Sequence, residues 1–329
     1  MARYIRDYHI RFLVDGSKVL TYTSVDHERP MHVKFKATYG DKLSRLDLSI
    51  FNMNPESRKV LQSDDVKILV QVGFRDTEKP DESTLNTVFL GNVDKEIVTH
   101  TKSADHETKI SASEGYDMQE LKIQGAYAPG TSHVEVIADL MSKVTGASGG
   151  MVVYDPSELN DLNITQVYKK GHTLSGVAEK ILSKLLITHN LEYNVAQGTL
   201  RIYRKGKSIQ NRTHSFDLGS GLLEVPKPIA QAASQAQSNP LPTKGYKFKL
   251  LLAPELIPQS KIEVAHSTLG KEPVELIVRK VTHTGGYESN EWYSTVETLI
   301  PSDGKKENSI AEAKTNPSGV DSKKKLTEG

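Results

Sequence analysis

Cysteine is absent from this sequence of 329 residues. Without thiols the chain forms no disulfide, thiolate zinc site, iron–sulfur cluster or cysteine nucleophile. Aromatic residues make up only 6% of the chain, and there is a single tryptophan. Because a carbohydrate-binding module needs exposed aromatic platforms, this scarcity argues mildly against that class of protein.

Neither charge of one sign nor long apolar runs dominate the sequence. There are 42 lysines and arginines against 41 aspartates and glutamates, a net charge of +1, whereas a dedicated nucleic-acid-binding protein needs a strong basic excess. No apolar run approaches the roughly 18–20 residues of a membrane span, and residues 1–7 lack the apolar core of a signal peptide. We therefore expect a soluble protein made in the cytoplasm, with two or three domains of about 100–200 residues.

Residues 1–128 have the pattern of an all-β domain. Asp15-Gly16 separates two apolar runs, which is typical of a tight β-hairpin, and Asn54 and Pro55 suit the N-cap and first position of a short helix. Alternation predicts two strands with one buried face each: Leu46, Leu48 and Ile50, and Val66, Ile68, Val70, Val72 and Phe74. With further strands up to 121–127, we expect a small barrel or sandwich.

Residues 129–212 change to a helical period. Ser132 and Glu135 have the spacing of a capping box, and apolar residues at helical spacing follow them. A second helix is predicted after Thr173, with an apolar face of Leu174, Val177, Ile181 and Leu185. A hairpin then pairs 191–195 with 199–203 across Gln197-Gly198. This segment predicts a compact α+β insert domain.

Residues 213–301 return to strands and predict a second β domain. Within them, 231–243 are rich in Gln, Ala, Ser and Pro, which predicts a loop or linker. Residues 302–329 contain few apolar side chains and predict an extended or disordered tail. The expected fold class is therefore a β-rich α+β protein of several domains, with bounds 1–128, 129–212, 213–301 and the tail 302–329.

The sequence contains no clear active-site motif. The pairs His27/His32 and His100/His106 lie in strand or loop segments, without a helical face that would bring them together on a metal. The glycine-rich run 146–150 leaves a helix rather than opening one, and no Gly-Lys-Ser/Thr follows, so it is not a phosphate-binding loop. We predict no catalytic, cofactor-binding or metal-ligating residue, and no cofactor.

The charged clusters are typical of solvated surface. Asp64-Asp65 and Asp81-Glu82 are typical of exposed turns, and the lysines at 323–325 are typical of a solvated tail. A catalytic carboxylate pair needs convergence in space, which a sequence does not reveal. The pattern therefore favours a component of an assembly over an enzyme.

Three local patterns occur in a fixed order along the chain. The first comprises the runs 46–50, 65–70 and 88–93, the Asn54-Pro55 helix, and 108–115, which ends in Glu114-Gly115. The second comprises 176–182, 189–193 and 198–202, and the third comprises 221–226, 251–258, 281–285 and Trp292. In this order they resemble the baseplate hub (tail hub) proteins of contractile-tailed bacteriophages and related contractile injection systems.

This resemblance implies two tube-like β-barrel domains that flank an α+β insert. Hubs are trimers that adapt the sixfold tail tube to the threefold central spike. The resemblance thus implies a structural virion protein of the tail baseplate, made in the host cytoplasm. Its partners would be itself, the tail tube and the spike, with the tape measure and wedge or sheath-proximal baseplate proteins as further candidates, and DNA only as cargo in the lumen.

Some residues depart from the hub pattern or have a simpler explanation. Gly286 stands where many hubs have Asp, and no hydrolase or spike region follows Ile300, so no fused lysozyme or spike is implied. Pro254, Pro258, His283 and Trp292 are interpreted as fold determinants rather than binding residues. Two alternatives remain: a β-rich peptidoglycan or glycan hydrolase of a phage tail, and a carbohydrate-binding attachment module.

Overall fold

The computed structural model describes residues 4–301 except for 15–17, 26–30, 41–42, 77–82, 103–104, 116, 149–151, 156–158, 160–161, 205–206, 209–211, 231–243 and 288. The predicted Asp15-Gly16 turn, the linker at 231–243 and the tail at 302–329 lie outside the described residues. No described helix is long and apolar enough to cross a membrane.

In the first part of the chain, which we call the N-lobe, the described residues form seven strands and one short helix. Its elements are β1 (Tyr4–Val14), β2 (Lys18–Thr23), β3 (Val33–Tyr39), β4 (Arg45–Phe51), α1 (Pro55–Val60), β5 (Val66–Asp76), β6 (Ser83–Lys102) and β7 (Asp105–Ser113). β1 and β2 pair as the predicted hairpin. Asn54 caps α1 through its side chain, with Pro55 in the first position, which confirms the predicted helix start.

The insert follows and mixes short strands with helices. Its elements are α2 (Asp117–Glu120), β8 (Lys122–Tyr127), α3 (His133–Ala147), β9 (Val153–Tyr154), β10 (His172–Val177), α4 (Ala178–Ile187), β11 (Leu191–Ala196) and β12 (Thr199–Arg204). Ser132 and Glu135 form the predicted capping box at the start of α3. β11 and β12 form the predicted hairpin.

The last part, which we call the C-lobe, returns to strands. Its elements are β13 (Thr213–Phe216), β14 (Lys227–Ala230), β15 (Lys244–Leu251), β16 (Lys261–Val264), β17 (Val274–Gly286) and β18 (Trp292–Leu299). The predicted fold class, β-rich with strand-rich parts on either side of an α+β insert, is confirmed.

The described strands of the two lobes form one continuous sheet of 13 strands, with the order β14-β15-β18-β17-β3-β4-β7-β6-β5-β1-β2. Off this order, β16 pairs with β17, and β13 pairs with β16. The junction of the lobes is the antiparallel pair β17–β3, in which Val281 faces Tyr39 and Gly286 faces Lys34. Both lobes contribute to one apolar core along the inner face of this sheet, while the insert has a separate core.

A five-strand unit occurs once in each lobe. In the N-lobe, β3, β4, β5, β6 and β7 pair in the spatial order 3-4-7-6-5, and every neighbouring pair is antiparallel. In the C-lobe, β14 to β18 pair in the corresponding order 14-15-18-17-16, again all antiparallel. The two lobes therefore share both the sequence order and the spatial order of these strands.

Two sequence predictions are corrected by long-range pairing. The strand predicted at 121–127 belongs with the insert, because β8 pairs with β10 and its Ile123 lies in the insert core. The helix predicted after Thr173 begins only at Ala178. Leu174 and Val177 have helical spacing, but their backbone pairs with β8, and Gly176 adopts a φ of +142°. The domain bounds themselves remain predictions.

Candidate functional site

The tip of the β11–β12 hairpin joins the insert to both lobes. The side-chain amide of Gln197 donates to the carbonyl oxygen of Thr87 in the N-lobe at 2.8 Å and to that of Pro254 in the C-lobe at 2.7 Å. Ser44, just before β4, donates its hydroxyl to the carbonyl oxygen of Val195 at 2.6 Å. The hairpin therefore sets how the insert is oriented on the sheet.

Glu114 is the buried acid of this junction, with 1% of its surface exposed. Its Oε1 accepts hydrogen bonds from the backbone N–H of Leu90 at 2.9 Å and of Gln197 at 3.1 Å. Its Oε2 accepts from the same Gln197 N–H at 3.0 Å. Burial raises the pKa of this carboxyl to about 8, although these bonds, the Ser44 hydroxyl and the Arg201 charge all lower it.

Strand alternation gives the signal that identifies Glu114 from sequence. Thr108, Ile110 and Ala112 are buried and share one face of β7, and Glu114 continues the same alternation just beyond the strand. A carboxylate on a buried face needs hydrogen-bond donors around it, because an unpaired buried charge is costly. The Gln197 side chain gave no comparable signal, since its sequence context indicates only a hairpin turn.

His283 and Trp292 lie in the core near the lobe junction. His283 is fully buried, with Nδ1 at 2.8 Å from the Ser294 hydroxyl and Nε2 at 3.1 Å from the Leu256 carbonyl oxygen. Trp292 packs edge-to-face on Phe35 with ring centroids 5.8 Å apart. These contacts hold the loop after β15 and the β17–β3 junction together.

The other histidines considered from sequence are scattered. His27 lies outside the described residues, His32 packs on Phe51, and His106 is exposed on β7. His100 is in β6, where its backbone pairs with Glu107. The described residues contain no group of three or more acidic or histidine side chains arranged for a metal ion.

The other candidate motifs lie at the surface or outside the description. Asp64 and Asp65 are exposed in the turn before β5, and Gly146 lies in the last turn of α3. The remainder of the glycine run from 149, the Asp81-Glu82 pair and the lysines at 323–325 lie outside the described residues.

An aromatic and histidine cluster in the insert has no counterpart among the motifs found in the sequence. His133 Nδ1 lies 2.8 Å from His189 Nε2, and the Tyr168 ring stacks between His133 and His172. Burial lowers the pKa of both His133 and His189. The cluster ties the start of α3 to the chain just beyond α4 and to the start of β10.

A groove of about 480 Å³ on the outer face of β3, β4 and β7 is where a carboxylate-dependent hydrolase site would be sought. Its acidic side chains are Asp47, Glu107 and Glu291, and its basic side chains are Lys34, Lys36 and Lys109. Glu107 Oε1 accepts a hydrogen bond from the Ser49 hydroxyl at 2.8 Å, and Glu107 Oε2 lies 4.0 Å from Lys109 Nζ. The groove therefore combines acids with an equal number of lysines.

The sheet has strand edges that the described residues leave without a neighbour. β14 pairs only with β15, and residues 97–102 of β6 pair only with β7, because the pairing of β6 with β5 ends at Asn92. Exposed apolar side chains lie in the segment that precedes β14, at Leu218, Leu223 and Val225, and at the end of β15, at Leu251. Open edges and exposed apolar groups together are typical of surfaces that meet another chain.

Comparison with known proteins identifies the fold. No family profile matches the sequence, and no curated protein sequence matches it. The 43 kDa tail protein of prophage MuSo2 from Shewanella oneidensis superposes with a TM-score of 0.55 at 11% identity, covering 89% of this chain and 98% of that one. The tail protein from Neisseria meningitidis MC58 gives a TM-score of 0.55 at 8% identity, with coverages of 89% and 98%.

A third similar structure comes from a secretion machine. The E. coli c3393 protein is described as a component of the type VI secretion system with structural similarity to the T4 bacteriophage tail proteins gp27 and gp5. It superposes with a TM-score of 0.52 at 13% identity and covers 84% of this chain and 75% of that one. The chain therefore has the fold of bacteriophage tail proteins, in agreement with the resemblance to baseplate hubs.

Proposed function

We propose that this protein is a structural component of a tail baseplate and acts as its homotrimeric hub. The observation that carries the proposal is the five-strand unit present twice in one chain, in the same strand order. Three chains then present six such units around an axis. One face of that ring matches a sixfold tail tube, and the threefold arrangement of the chains matches a central spike.

The strand edges support an assembled state. A sheet with open edges at β14 and in the second half of β6 invites pairing with other chains. Closure into a ring satisfies such edges without unlimited growth. The tail tube and the central spike are the proposed partners of the two faces, and the virion tail baseplate, or the corresponding part of an injection machine, is the proposed location.

The proposed work is binding, with no bond chemistry. Glu114 and His283, the buried titratable groups at the lobe junctions, are enclosed by backbone and side-chain partners. In the outer groove, Glu107 is engaged by Ser49 and faces Lys109. We therefore expect that neither the hydrolase nor the carbohydrate-binding alternative describes this chain.

Electron microscopy of the purified protein tests this function. Averages of particles viewed down their axis should show a ring of six lobes with threefold symmetry. A control with the exposed insert residue Ile187 changed to Glu should give the same ring, because Ile187 is 73% exposed and lies outside both lobes. Compact single particles without a ring would overturn the proposal.

A further inference from the structure

The contact that joins the lobes within one chain has an unfilled counterpart. On one side, β17 pairs with β16 as far as Ile277 and then, from 281 to 286, with β3. On its other side β17 pairs with β18, and the register of that pairing shifts just after Val278. β6 pairs with β5 up to Asn92, and its pairing with β7 then shifts register after Val93. Its residues 97–102 continue along β7, and no described strand lies on their other side.

The five-strand unit shared by the two lobes also identifies the strand that would pair with the uncovered side of residues 97–102. In the shared order of the two lobes, β3 corresponds to β14 and β17 corresponds to β6. β3 pairs on one side with β4 and on the other with β17, whereas β14 pairs with β15 alone among the described strands. We infer that β14 of one protein chain adds to residues 97–102 of β6 in a second copy, repeating between chains the β17–β3 pairing seen within one.

We call this pairing of β14 with β6 between two copies the seam. Its register follows from residue pairs of β6 that are equivalent to residue pairs of β17. Ile97 in β6 and Val281 in β17 both come after the register shift of their strand. Ile97 pairs with the buried residue Ile110, and Val281 pairs with the buried residue Val296. Two residues further along, Thr99 therefore corresponds to His283. In the chain, His283 faces Ala37 of β3.

The counterpart of Ala37 on β14 follows from the neighbouring strands. Leu48 faces Ile110 and Phe248 faces Val296, so these two residues correspond. Two residues earlier stand Leu46 and Tyr246, and their partners are Ala37 and Pro228. Thr99 of one copy is thus placed opposite Pro228 of the next, where Pro228 can accept a hydrogen bond through its carbonyl oxygen but, having no N–H, cannot donate one.

Burial at these positions agrees with a missing neighbour. His283 and Ala37 are both completely buried where β17 meets β3. Their counterparts Thr99 and Pro228 are both exposed. By contrast, Thr108, the partner of Thr99 on the neighbouring strand β7, is completely buried. Pairing with a second copy would cover both edges at once.

Engineered cysteines test this seam cleanly, because the chain contains no cysteine of its own. Directly opposed residues in an antiparallel pair bring their Cβ atoms to about 4.5–5.5 Å, close enough for a disulfide after a small adjustment. The double variant Thr99→Cys/Pro228→Cys should, on oxidation, give covalent dimers and trimers on a non-reducing gel. Thr101→Cys/Pro228→Cys covers a register displaced by two residues.

The matched control is Thr99→Cys/Lys227→Cys. Lys227 precedes Pro228 in β14, and adjacent residues of a strand point to opposite faces, so this pair should stay uncrosslinked. The inference rests on the proposed trimer, and a mass measurement of the uncrosslinked protein separates the two. A trimer in which neither same-face pair crosslinks, or in which Lys227→Cys crosslinks equally well, overturns the seam alone. A monomer overturns the hub proposal and the seam together.

Discussion

The backbone N–H of Gln197 donates to both carboxyl oxygens of Glu114, at 3.1 and 3.0 Å, and so connects the insert hairpin to the end of β7. Gln197 adopts a φ of +54°, which is uncommon for a residue other than glycine. This backbone conformation places its N–H on Glu114 while its side chain spans to both lobes. The orientation of the insert therefore depends on two residues 83 positions apart.

Replacing Glu114 with glutamine should change how stability depends on pH. The folded pKa of about 8 lies above the ordinary 4.5, so between these pH values the folded chain binds more protons than the unfolded chain. The free energy of unfolding should then fall as pH rises from about 4.5 to about 8, by roughly 3–5 kcal/mol from this group. Because His283 contributes in the opposite direction below pH 6.5, urea unfolding at several pH values should compare the parent protein with Glu114→Gln, and the difference between them should show this decrease.

A control separates this effect from the other carboxylates. Glu56→Gln changes an exposed acid in the first turn of α1 and should leave the pH dependence of the parent protein intact. If Glu114→Gln keeps the same decrease as Glu56→Gln, the buried carboxyl does not titrate as described.

The Gln197 amide should stabilise the junction measurably. Gln197→Ala leaves the carbonyl oxygens of Thr87 and Pro254 without this donor, and we expect a loss of roughly 2–4 kcal/mol in the free energy of unfolding. Gln197→Gly loses the same amide but accepts the positive φ at no steric cost, so it should be less destabilising than alanine. Equal stability of Gln197→Ala and the parent protein would show that the bridge contributes nothing.

His283 should remain neutral well into the acid range. Burial lowers its pKa to about 4 from 6.5, and its contact with the Leu256 carbonyl requires a proton on Nε2. The unfolded chain takes up this proton more readily, so the free energy of unfolding should fall as pH drops from about 6.5 towards 4. A ¹⁵N NMR titration that shows His283 protonating near its ordinary pKa would contradict this assignment.

A single methyl group should disrupt the junction of the lobes. A Cβ at Gly285 would lie 2.3 Å from the Phe35 ring and 2.9 Å from the Trp292 ring, both within the core. Gly285→Ala should therefore lower the free energy of unfolding by roughly 1–3 kcal/mol. Gly146→Ala lies in the last turn of α3, where the new Cβ meets no atom within 4 Å beyond its chain neighbours and the backbone of its own helix, and it should be neutral or stabilising in the same urea titration. Equal effects of the two changes would contradict tight packing at the junction.

Local features of the fold were predictable from sequence where neighbouring residues determine them. The Asn54 cap, the Ser132–Glu135 capping box and the hairpin around Gln197-Gly198 each depend on contacts within a few residues. β10 was not predictable in this way, because its apolar residues also fit a helix and only its partner β8 decides between the two.

The site depends on contacts between distant segments, which a single sequence does not reveal. β3 and β17 are more than 200 residues apart, and no local pattern indicates their pairing. β14 contains Pro228, which argues against a strand in sequence but is tolerated at a sheet edge. The order of the segments was visible in the sequence and carried the resemblance to hub proteins, whereas the Glu114–Gln197 contact and the β6 edge without a described neighbour required the folded chain.

The mass of the purified protein in solution tests the central claim most directly. Light scattering at micromolar concentration should give three times the chain mass of 36.4 kDa, because in the proposed hub the edges of β6 and β14 that no described strand covers are paired when copies close into a ring. The mass should stay constant on tenfold dilution, as expected of an obligate interface. A stable single-chain mass across that range would contradict the trimeric hub.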